Sequence, residues 1–193
     1  YHGWMFDETG QCIEQPFEET VHPDGRFKEK VKIAGYPVEV TAGLVFAYLG
    51  PEPVPFLPKW EPLTWENSIR DIAVSHLPCN WLQCQENSLD PVHVEWMHVY
   101  FGRYSQERDA WSGPTALLQL PNHQKIGFDE FEHGIIKRRV FQGYTEDDDD
   151  WKEGHPIFFP NILMVGSEVS VTFQWRVPID DEHTLHISQY IWH

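Results

Sequence analysis

Apolar residues in the first fifty positions come in short runs separated by turn signals. Trp4 to Phe6 and Gln11 to Ile13 flank Glu8-Thr9-Gly10, and Pro37 to Val40 and Leu44 to Leu49 flank Thr41-Ala42-Gly43, so two β-hairpins are expected. Gly50-Pro51-Glu52-Pro53-Val54-Pro55, with Pro58 soon after, lacks backbone donors and breaks both helix and ladder. A domain boundary is expected there, giving an all-β part over residues 1–52 and a second part over 53–193. In the second part Asp71 to Leu77 reads as a strand, and Trp81 to Phe101 is the one long stretch of helical character. Thr115 to Leu120, Ile126 to Phe131 and Ile135 to Phe141 read as further extended segments. The period of two is clearest where Val169, Val171, Phe173, Trp175 and Val177 share one face and Ser170, Thr172, Gln174 and Arg176 the other. Pro178-Ile179-Asp180-Asp181 then turns the chain into a strand from Thr184 to Trp192. The expected class is α+β, with a mostly antiparallel sheet and at least one helix after the boundary.

Composition narrows the function classes. Thirty acidic residues against 14 basic ones, a formal charge of -16, describe a solubilising surface and exclude nucleic acid and anionic membranes as natural partners. No apolar run approaches the roughly 18 residues of a membrane span, and no basic-then-apolar leader opens the chain, so a cytoplasmic location is expected. Three cysteines, Cys12, Cys79 and Cys84, form no disulfide framework and suit a reducing compartment. The run Asp147 to Asp150 reads as a solvated loop. The chain opens directly on the dense motif Tyr1-His2-Gly3-Trp4 and stops in the apolar stretch Tyr190-Ile191-Trp192, so the native protein is expected to extend beyond both ends.

Chemistry concentrates between Gln85 and His98, where two imidazoles and three carboxylates fall within fourteen residues. Imidazoles plus a carboxylate are the donors of the facial triad that holds iron(II) with open positions. A zinc protease would carry His-Glu-x-x-His, with both rings on one helix face. His93 and His98 are instead five apart, about 140° around an ideal α-helix. To meet on one metal the helix must deform. Asp90-Pro91 offers a cap and a restart, and a bulge or frayed turn between His93 and His98 would complete the geometry. The alternative is that both are ordinary helix histidines. His123, His133, His155, His183 and His186 show no comparable spacing and read as surface or loop residues. His155 to Asn161 could line an apolar pocket or be plain core.

The pattern Glu86-x3-Asp90-x2-His93-x4-His98 resembles the iron-binding motif of the Rieske ring-hydroxylating oxygenases. Independently, Tyr1-His2-Gly3-Trp4 resembles the end of that family's cluster motif, Cys-x2-His-Gly-Trp. Residues 43–53 and Gln15-Pro16-Phe17-Glu18-Glu19 look most like the phthalate and phenoxybenzoate dioxygenase branch. The resemblance implies the end of a Rieske domain followed by part of a helix-grip catalytic domain. It implies His2 as a ligand of the 2Fe-2S cluster and His93 and His98 as ligands of a mononuclear Fe(II), whose third, carboxylate ligand lies outside this chain. Asp90 would bridge from that iron toward a Rieske histidine of a neighbouring subunit, and can cap a helix at the same time. Asn87 and Glu86 would stand one turn behind the ligands. The chain alone, with one of four cluster ligands and two of three iron ligands, is expected to hold metal weakly. Cys12, Cys79 and Cys84 read as packed thiols rather than cluster ligands.

The implied activity is that of a terminal oxygenase that takes electrons from a reductase or ferredoxin and uses oxygen to hydroxylate or O-dealkylate a small aromatic substrate. A homo-oligomer, a trimer, is implied because the electron path crosses subunits. Two rivals stand beside it, a Rieske-type electron carrier and a non-catalytic binding domain on the helix-grip scaffold. The Glu86 to His98 motif argues against the carrier.

Overall fold

The computed structural model describes residues 2–110, 113, 115–167 and 169–193, and of Ala116, Leu117 and Ser167 the backbone alone. Tyr1, which opens the first motif, lies outside the described residues. By internal contacts the chain divides into two compact units, Tyr1–Glu66 and Asn67–His193.

In the first unit, β1 (Met5–Phe6) pairs antiparallel with β2 (Cys12–Glu14). Asp7 builds the turn between them. Its Oδ1 accepts the backbone N–H groups of Thr9 at 2.9 Å and Gln11 at 3.0 Å and the Thr9 hydroxyl at 2.8 Å. These donors, led by the Thr9 hydroxyl, hold the Asp7 carboxyl below its ordinary range. Gly10 has φ of 81°, and a Cβ there would stand 2.1 Å from the Ile33 carbonyl oxygen, so the turn needs glycine. The six-residue helix α1 (Pro16–Val21) comes next, with Pro16 at its first position, where a missing N–H costs nothing. A 3-10 turn spans Arg26–Lys30. The second hairpin joins β3 (Val38–Thr41) to β4 (Leu44–Ala47) through Ala42 and Gly43, both at positive φ as a tight hairpin turn requires. A four-residue helix, α2 (Glu61–Thr64), closes the unit. Both hairpins stand where turn residues put them, and α1 and the 3-10 turn are additions to residues 1–52, the part expected to be all-β.

The second unit is built on a seven-stranded antiparallel sheet. Its members are β5 (Ile69–Leu77), β6 (His123–Phe131), β7 (Gly134–Phe141), β8 (His155–Phe158), β9 (Ile162–Ser167), β10 (Ser170–Pro178) and β11 (Thr184–Trp192), in the order β5-β11-β10-β9-β8-β7-β6. Along β10 the alternation holds for Val171, Phe173 and Trp175, which are buried. It fails at the ends, because Val177 is exposed and Val169 precedes the strand. Arg176, on the expected polar face, is only 4% exposed because a helix covers that face. That helix, α3 (Trp81–Leu89), is tied down by Arg176, which donates to Gln85 Oε1 and to Ser88 Oγ at 2.6 Å, and by Lys137 Nζ, which donates to the Ser88 carbonyl at 2.7 Å. Burial pushes Lys137 down to about 8 and Arg176 down to about 10. Both cations sit against the C-terminal half of α3, where the helix dipole favours positive charge.

Thr115 to Leu120, expected as extended, holds a 3-10 turn over Thr115–Gln119. A short apolar run does not distinguish the two by pattern, and here the Leu118 carbonyl accepts Arg103 Nε at 2.8 Å. The acidic run ends in the short helix α5 (Asp149–Lys152), with Asp150 paired to Arg139. Among the described residues no helix is long and apolar enough to cross a membrane.

Candidate metal centre

The segment carrying the two spaced histidines is assembled from three helical pieces. Asn80 starts α3 with a capping box, its side chain accepting from Leu82 N at 2.8 Å while Gln83 Oε1 accepts from Asn80 N at 3.3 Å. Pro91 ends it, since the ring forces Asp90 out of the helical region, to φ -73° and ψ 110°. Asp90 then caps the next helical piece, its Oδ1 accepting Val92 N at 2.8 Å and its Oδ2 accepting His93 N at 3.3 Å. The chain continues as a π-helix over Val94–Tyr100 and returns to α-helix in α4 (Phe101–Gln106). The helical stretch Trp81 to Phe101 is therefore a helix, a restart at Asp90-Pro91 and a widened turn, the deformation that the five-residue spacing called for.

The widened turn brings the imidazoles of His93 and His98 together, with ring centroids 5.3 Å apart and planes at 70°. Two rings bound at metal-nitrogen distances of about 2.1 Å have centroids about 3.2 Å from the ion, hence roughly 4.5 to 5.2 Å apart at right-angled to tetrahedral angles. The observed separation lies just above that range. His93 Nδ1 lies 2.6 Å from the Asp90 carbonyl oxygen. A carbonyl only accepts, so Nδ1 is the donor, and in the neutral ring that tautomer leaves the lone pair on Nε2, the usual orienting bond of a metal-binding imidazole. His98 is exposed, its backbone carbonyl accepts from Phe101 N, and its ring has no hydrogen-bond partner among the described residues.

The other candidates are placed less tightly. Asn87 and Glu86 are exposed near the end of α3. Among the described residues no group of three or more His, Cys, Asp or Glu side chains converges as a metal site. Glu95, between the two histidines, is committed elsewhere: its Oε2 accepts the backbone N–H of His123 at 2.9 Å and His123 Nδ1 at 3.0 Å. The backbone N–H, first, and the imidazole beside it hold the Glu95 carboxyl below its ordinary range. In the first unit the His2 side chain is 68% exposed and approaches Glu18 at 3.9 Å, while Trp4 Nε1 donates to the other Glu18 oxygen at 2.8 Å. Cys12 is 2% exposed, a packed thiol. Cys79 and Cys84 are free, with sulfurs 3.6 Å apart, and burial pushes the Cys84 thiol up.

Three histidines expected at the surface or in loops belong to strands. His123 opens β6 with its side chain 7% exposed, His155 opens β8 with Nε2 2.6 Å from the Met164 carbonyl, and His186 lies within β11. A carbonyl partner makes His155 Nε2 the donor. Burial pushes both His155 and His186 below the ordinary imidazole value. His123 had one legible signal, its place just after Pro121-Asn122 at the head of an apolar segment, but its partner lies 28 residues away.

No family model matches the chain. Curated relatives do. The chain is 45% identical over 98% of its length to the 5,5'-dehydrodivanillate O-demethylase oxygenase subunit of Sphingobium sp., and 38% identical over 96% to the 3-chlorobenzoate-3,4-dioxygenase oxygenase subunit of Comamonas testosteroni. The chain belongs to the Rieske-type oxygenase subunits. It spans about 42% of the length of each of these relatives. Among solved structures, the terminal oxygenase of carbazole 1,9a-dioxygenase from Nocardioides aromaticivorans superposes with a TM-score of 0.59 at 18% identity, over all of this chain and 57% of that one. The quaternary ammonium Rieske monooxygenase CntA gives 0.61 at 16% identity, over all of this chain and 51% of that one. At these identities the likeness shows the fold. Rieske oxygenases carry a 2Fe-2S cluster and a mononuclear iron.

Proposed function

We propose that this chain is the junction of a Rieske terminal oxygenase, with residues 1–52 ending the cluster domain and 53–193 beginning the catalytic domain, and that His93 and His98 are two ligands of its mononuclear iron. The observation that carries the reading is the π-helix that brings two imidazoles five residues apart to 5.3 Å. The third ligand, a carboxylate, comes from outside this chain, in keeping with the share of its relatives that the chain spans. His2 is assigned to the 2Fe-2S cluster with ligands likewise outside the chain. When bound, the iron supplies activation of oxygen with electrons delivered from a reductase or ferredoxin.

The chain's own residues supply orientation. His93 is held by its Nδ1–H bond to the Asp90 carbonyl, which fixes the tautomer and raises the basicity of Nε2. The Asp90 side chain caps the following helix and is 47% exposed, so its oxygens have lone pairs left for an imidazole N–H of a neighbouring subunit, the position His2 would occupy in a trimer. Asn87, on the exposed side of the same helix end, stands behind the ligands. The names of the relatives, an O-demethylase of dehydrodivanillate and a dioxygenase of 3-chlorobenzoate, support a small aromatic substrate that is hydroxylated or O-demethylated.

Substituting His93→Ala in the oxygenase subunit tests the reading. Mononuclear iron and oxygenated product should both be lost while the visible spectrum of the cluster is unchanged. Retention of iron and turnover would return His93 and His98 to ordinary helix positions.

A further inference from the structure

The π-turn itself needs a cause. Its wide hydrogen-bonded rings are a poorer arrangement than α-helix and persist where something outside the helix holds them. Two bonds on the side facing the sheet do so here. Glu95, with its side chain 11% exposed, accepts both the backbone N–H and Nδ1 of His123. Tyr100, at the end of the π-turn, accepts from Asn122 Nδ2 through its hydroxyl at 2.9 Å. Val99 between them is 1% exposed. Glu95 and Tyr100 are five residues apart, the same interval as His93 and His98. Their anchors, His123 and Asn122, are adjacent, with Cα atoms about 3.8 Å apart. In an ideal α-helix the two anchored side chains would diverge by about 140°, and one bond would be lost.

We propose that Asn122 and His123, gripping Glu95 and Tyr100, are positioning residues that enforce the five-residue turn on which His93 and His98 meet. This rests on the reading of His93 and His98 as iron ligands. The grip on one side of the helix sets the spacing of the ligands on the other. A buried His-Glu pair that merely satisfied its own polar atoms would not need Tyr100 and Asn122 in the same register.

The test uses the intact oxygenase subunit, depleted of mononuclear iron and titrated anaerobically with Fe(II), with affinity and the electron paramagnetic resonance spectrum of the nitric oxide complex as readouts. His93→Ala should abolish binding at this site. Glu95→Ala combined with Tyr100→Phe should weaken Fe(II) about 10- to 100-fold, the usual effect of losing a group behind a metal ligand, and should change the spectrum. Glu95→Gln, which keeps an acceptor oxygen for His123, should restore both. If the double variant binds Fe(II) with unchanged affinity and spectrum while His93→Ala does not bind, the positioning role is wrong and the ligand reading stands. If His93→Ala binds as the parent does, the ligand reading falls and the proposal with it. Should Glu95→Ala fail to fold, Tyr100→Phe alone, which removes one oxygen, decides the matter: a lowered melting temperature with an unchanged spectrum overturns it.

Discussion

His2 and His93 are both assigned to iron, yet the His2 side chain is 68% exposed with a 3.9 Å approach to Glu18, whereas the His93 side chain is 22% exposed and bonded through Nδ1 to a backbone carbonyl. The units around them differ in the same sense. In the first, the buried apolar side chains among the described residues are Cys12 and Leu63, and order comes from turn chemistry such as the Asp7 carboxylate and Gly10. In the second, a seven-stranded sheet buries Val140, Ile157, Leu163, Val171, Phe173 and Ile191, and helix α3 is fastened to it by Lys137 and Arg176. His93 is thus held in place by its hydrogen bond and its surroundings, while His2 is held by little more than its approach to Glu18.

The largest expected effect is in the sheet. Ile157 is fully buried between its cross-strand neighbours Ile135 and Leu163. Ile157→Ala should cost about 4 kcal/mol, combining lost transfer energy with a cavity in a packed layer. Urea denaturation followed by tryptophan fluorescence measures it. A loss well under about 1 kcal/mol would mean that the sheet repacks and is no rigid base for the helices that carry His93 and His98.

Next comes the charge beneath α3. Lys137 is buried, and its ammonium is pushed down from 10.5 to about 8 by desolvation first and by Arg139 second. Below pH 8 both folded and unfolded chains carry the proton, and the folded state bears the cost of the buried charge. Between pH 8 and 10.5 the unfolded chain binds more protons, so stability rises with pH across that window, by up to roughly 3 kcal/mol at its end. Lys137→Met should lack this rise. Denaturation of both proteins at pH 7.5 and pH 10 isolates it, and parallel curves would show that the ammonium is not desolvated.

Legibility followed the same divide. The hairpins and β10 could be read because turn residues and a period of two are local signals, and burial on one face fixes the register. Arg176 defied its pattern because α3, far away in sequence, covers the polar face. The π-helix was legible as a conflict: histidines five apart and a shared metal are incompatible with an ideal helix, so a bulge was required. The grip that holds that bulge was not, since Glu95 and His123 are joined across 28 residues and neither carries a mark of its partner.

The smallest effect belongs to the other unit. With little apolar burial to draw on, the first hairpin depends on Gly10, whose φ of 81° is strained for any residue with a Cβ and whose added methyl would meet the Ile33 oxygen at 2.1 Å. Gly10→Ala should therefore cost about 2 kcal/mol locally. The loss should appear as faster hydrogen exchange at Cys12 and Ile33, whose amides bond to the Val31 and Gly10 carbonyls at 3.0 and 2.9 Å. Amides of β10 and β11 should keep their protection, because their ladder is held by sheet packing rather than by a turn. Equal loss in both places would mean that the two units open as one, and that the strain at Gly10 is felt as far as His93 and His98.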